Sequence, residues 1–212
     1  MHVEPVVTAW RRVETWLRES ARTSAESMLP PAAHKDVTKA EEPLRQYAGY
    51  GFPQELTALW RVCGGVENLE IEEDQDEGEV ASGDFLPDGV LLGPALSTQP
   101  RISFPESDPW GAEQWVAWLS TDEEVIPGLY ISDDPAMRGV GRWSTLDGNY
   151  ELGEPQFPSI ASSFEKVLET LQQGPATLMG PTNVPGIIYG WLHWDSPEEP
   201  SLLASENWVR LH

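Results

Sequence analysis

The residues of this chain best equipped for chemistry are carboxylates, and they are concentrated. From Glu70 to Glu79 the sequence reads EIEEDQDEGE, with seven acids in ten residues and no base. Carboxylates at that density can hold a hard cation, share protons in acid–base catalysis, or present an anionic surface to a basic partner. Solvated charge that serves only solubility is the plain fourth reading.

Spacing separates these readings. Aligned on Gly78 as the turn glycine of a twelve-residue calcium loop, the ligand positions fall on Glu73, Gln75, Glu77 and Asp84, with Val80 at the apolar position. The first ligand of such a loop should be Asp and the last a bidentate Glu. Here Glu73 and Asp84 reverse that order, and Gly64-Gly65 stops the preceding helix well short of the loop. A transition-metal site fares no better, because His2, His34, His193 and His212 are scattered and Cys63 is the only cysteine. The chain has no G-x-S-x-G elbow and no Gly-Lys-Ser/Thr phosphate loop, and GVGRW lacks the third glycine of a dinucleotide turn. Asp133-Asp134 reads as a strand-end turn rather than an acid–base pair. Cys63, one turn beyond a buried helical stripe, reads as a small core residue. The expectation is a protein with no cofactor and no catalytic residues. Its candidate contacts to a basic protein partner are Glu70, Glu72, Glu73, Asp74, Asp76, Glu77, Glu79 and Asp84. The alternatives are a calcium-binding protein and an enzyme.

The charge distribution points the same way. The formal charge is −22, but residues 1–61 hold eight bases and eight acids, whereas residues 62–212 hold five bases and 27 acids. Such a field repels nucleic acid and anionic membranes and attracts basic proteins. No apolar run approaches the roughly 20 residues that span a bilayer. The opening MHVEPVVTAWRRVE lacks the basic and apolar regions of a signal peptide, and a single cysteine allows no intramolecular disulfide. The expected location is cytoplasmic. An apolar fraction of 40% is enough for a folded core despite the charge.

The elements that must position these residues follow from periodicity. Val6, Trp10, Val13 and Leu17 mark one face of a helix over residues 5–22. Pro43 is expected to open a short helix that runs through Tyr47 and ends at Gly49. FPQELTALWRVCGG sets Pro53 at a helix start, Leu56, Leu59 and Trp60 on a buried stripe, and Gly64-Gly65 at the stop. DGVLLG, QWVAWLS, GLYIS and GVGRWS then read as antiparallel strands. Alternation in WVAWLS puts Trp115, Ala117 and Leu119 on one face and Val116 and Trp118 on the other. SSFEKVLETLQQG restores the helical period, with Ser162 and Glu165 expected as a capping box and Gly174 as the stop. Helices, then strands, then a helix give an α+β fold, an antiparallel sheet packed with helices. Residues 1–174 are read as one domain. Residues 175–212, with the apolar GIIYGWLHW, are read as a C-terminal extension packed on it. Most of the ten tryptophans are expected in the core, with a minority left to anchor a partner.

GFPQELTALWRVCGGV resembles the helix-initiating LP and helix-terminating NGG signature of the SUKH superfamily. Phe52-Pro53 stands for the first pair and Cys63-Gly64-Gly65 for the second. GLYISDDPAMRGVGRW is similar to that superfamily's later strand, aspartate turn and Gly-x-Val strand, and SSFEKVLETL to its closing helix. The likeness covers roughly residues 40–173. It departs from the pattern at Cys63, where a polar residue is usual, and the extension has no counterpart. The resemblance implies a non-catalytic, protein-binding α+β domain. It further implies a bacterial immunity protein whose partner is a basic, nuclease-type toxin domain. An intracellular scaffold or regulator of the same fold with no toxin is the alternative.

Overall fold

In the computed structural model, residues 4–67, 83, 85–87, 89–103, 114–121, 127–146, 149–174, 184–195 and 207–212 are described. Helix α1 (Glu4–Ser20) buries Val6, Ala9, Trp10, Val13 and Leu17 along the stripe that the sequence period marks. Its exposed side is tied by ion pairs from Arg11 and Arg18 to Glu14. A short α2 (Arg22–Glu26) follows, then α3 (His34–Pro43), which passes directly into a π-helical turn at Leu44–Ala48. Pro43 therefore closes a helix instead of opening one. The sequence signal for α3 is faint because Ala40 is its only buried residue, so no apolar stripe announces it. Gly49, at φ +76°, ends the turn in the left-handed region where glycine carries no Cβ penalty. Glu41 then fixes the approach to the next helix, accepting from the Phe52 amide and from Arg45.

Helix α4 (Gln54–Trp60) starts after Pro53 and buries Leu56, Ala58, Leu59 and Trp60. It is shorter than its sequence pattern, and Cys63 lies beyond its end with a thiol that donates to the Gly65 carbonyl. The Trp60 indole donates to the Leu92 carbonyl at 2.9 Å, fixing α4 against the sheet.

The main sheet is antiparallel, in the order β1 (Val90–Leu91), β2 (Val116–Ser120), β3 (Gly128–Ser132), β4 (Gly139–Leu146), β5 (Asn149–Leu152). Helix α5 (Pro94–Ser103) intervenes between β1 and β2 and packs on β2 and α3. Leu119 corrects the simple alternation expected of β2. The register of β2 against β3 shifts between Ala117 and Leu119. Leu119 then joins Val116 and Trp118 in the main core, while Trp115 and Ala117 pack with Leu92, Tyr130 and Trp143 in a second cluster. A bulge inserts one residue and so reverses the alternation beyond it.

Helix α6 (Ile160–Gln173) lays Phe164, Val167, Leu168 and Leu171 into the main core against α1. Burying each such side chain is worth about 1.5–3 kcal/mol. Its cap corrects the expected one. Ser159 is the N-cap; its hydroxyl accepts from the Ser162 amide, and the Ser162 hydroxyl accepts from the Ser159 amide. Glu165, placed one turn too late for that role, is exposed.

Past α6 the chain forms a second antiparallel sheet, in the order β7 (Trp191–Asp195), β6 (Val184–Ile188), β8 (Trp208–Arg210). Leu192 and Trp194 belong to the main core, and the Trp194 indole donates to the Phe85 carbonyl at 2.9 Å. Ser24 on α2 accepts from the Leu192 amide. Eight of the tryptophans are buried and Trp16 is partly buried; Trp110 lies outside the described residues. The architecture is α+β, with six α-helices and two antiparallel sheets among the described residues.

Candidate partner-binding surface

Glu70, Glu72, Glu73, Asp74, Asp76, Glu77, Glu79 and Asp84 all lie outside the described residues. Their roots are described. On the entry side, the Val66 amide donates to Leu91 and the Glu67 amide to Ser27. On the exit side, Phe85 is fully buried, with its ring 6.3 Å from that of Trp10 and its carbonyl bound by Trp194. The acidic stretch is thus bracketed by two points fixed in the core, one against the connection after α2 and the other against β7.

The register of the main sheet sets out the remaining acidic connections. Val90 pairs with Ser120, Ser120 with Gly128, Gly128 with Trp143 and Leu146 with Asn149. The start of β1, the end of β2, the start of β3, the end of β4 and the start of β5 therefore share one end of the sheet. In sequence, the segments that join β2 to β3 and β4 to β5 carry Asp122, Glu123, Glu124 and Asp147 and no base. The described residues hold 16 acids and 13 bases, leaving 19 acids and no base for the rest.

At the opposite end of that sheet the carboxylates are engaged in structure. Asp134 accepts from the Ala136 amide, and Ser132 accepts from the Asp134 amide, which closes the β3–β4 turn. Glu55, in the first turn of α4, reaches the start of α6 and accepts from the Ile160 and Ala161 amides at 3.0 and 2.9 Å. Burial pushes its carboxyl above the ordinary 4.5. The two amide bonds work against this rise and the nearby Asp133 charge adds to it. Sequence reading places Glu55 in the first turn of its own helix and does not show its contact with α6. The helix it caps begins 105 residues later.

Cys63 is buried, and desolvation pushes its thiol up to about 11, far from a nucleophile's range. His193 and Asp195 alternate on β7, and burial lowers the His193 pKa while Asp195 partly opposes it. Among the described residues, no group of three or more His, Cys, Asp or Glu could hold a metal ion. No helix among them is long and apolar enough to cross a membrane. No family model matches the chain, and no curated protein matches it significantly.

Proposed function

We propose that this chain is a non-catalytic binding protein of SUKH type, an immunity protein that neutralises a basic, nuclease-type toxin by direct contact in the cytoplasm. One observation carries the reading: seven of the ten residues from Glu70 to Glu79 are acids, within a stretch of residues 62–212 that holds 27 acids against five bases.

The mechanism is electrostatic occlusion. A nuclease must bind polyanions, so its cleft is basic. A surface of opposite sign raises the encounter rate, by about 10- to 1,000-fold where the fields are focused, and competes with nucleic acid for the same cleft. Glu70, Glu72, Glu73, Asp74, Asp76, Glu77, Glu79 and Asp84 are the contacts assigned to that surface. The α+β framework and the order of the FPQEL, CGG, SDD and GVG segments support the fold-level likeness.

The test is capture of the tagged chain from its own cells, identification of the bound protein, and assay of the purified pair. The reading expects a small basic partner whose nuclease activity falls to zero at one equivalent of this chain. Changing Glu72, Glu73, Asp74, Asp76 and Glu77 to their amides should slow association roughly 10-fold or more at low salt, and the wild-type rate should fall steeply as salt rises. A partner that is neither toxic nor enzymatic would select the scaffold reading. An unchanged association rate in the amide variant would remove the acidic stretch from the contact.

A further inference from the structure

We draw no further inference here: the strongest candidate, the face of the three-stranded sheet that carries Trp191, His193, Asp195 and Trp208, has nothing among the described residues to show what covers it.

Discussion

Glu55 gives the sharpest test of how this fold is held together. Its carboxylate is the acceptor for the Ile160 and Ala161 amides, two of the four donors that a helix start leaves without an intrahelical partner. Glu55→Ala removes both acceptors. Losing an N-terminal capping acceptor costs about 0.5–2 kcal/mol, and a buried donor left unmet costs about 1–3 kcal/mol. Against this, the wild-type charge is desolvated and lies near Asp133, so its removal returns part of the loss. The expected net cost at neutral pH is about 2 kcal/mol, or roughly 4–8 °C in Tm for a chain of this size. Glu55→Gln keeps one acceptor oxygen and should cost less, about 1 kcal/mol.

The same group has a pH signature. Its pKa is raised above 4.5 on folding, so the folded state holds this proton more tightly than the unfolded state. Its stabilising contribution is therefore complete below 4.5 and is lost as pH rises through the folded value. Urea denaturation followed by tryptophan fluorescence, for wild type and Glu55→Gln at pH 4.5 and at about pH 7.5, isolates this component. Wild type should lose stability relative to the Gln variant as pH rises. An Ala variant within about 0.5 kcal/mol of wild type would refute the capping role. A wild type and Gln variant whose difference is independent of pH would refute the burial argument.

Leu59 is fully buried in the main core, so Leu59→Ala should cost about 2–5 kcal/mol in chemical denaturation; a loss below about 1 kcal/mol would place the side chain outside the core. Cys63, with its thiol pushed up to about 11, should react with thiol reagents at neutral pH far more slowly than a free cysteine, and labelling at the free-thiol rate would contradict its burial. At Gly186 an added Cβ would lie 2.1 Å from the Trp208 ring. Gly186→Ala should therefore displace β8 at a cost of about 1–3 kcal/mol, read as a red-shifted tryptophan emission and a lower Tm. If neither changes, the Trp208 ring does not lie over β6.

Much of the framework is legible in the chain because its determinants are local. The stripe of α1 is a 3.6-residue period, and α4 is bracketed by Pro53 and Gly64-Gly65. Strands β2, β3 and β4 are β-branched and aromatic runs between turn residues, and the bias of charge toward residues 62–212 is plain arithmetic. What escaped depends on neighbours distant in sequence. Strand β6 contains Pro185 and Gly186, which argue against a strand until the Trp208 indole is seen to occupy the space a Cβ would need. The β6–β7 turn uses Tyr189 at φ +50° before Gly190, and Tyr189 is no turn former; Thr23 on α2 holds it by donating from its hydroxyl to the Tyr189 carbonyl and from its amide to that of Gly190. The bulge that sends Leu119 into the main core leaves no mark in WVAWLS, because alternation is a property of an unbroken ladder and only the partner strand decides where the ladder slips. The acceptor for the first amides of α6 comes from α4. Local sequence set the helix and its serine cap, whereas tertiary packing alone brought Glu55 to it, because a helix end can be satisfied by any acceptor that the fold delivers.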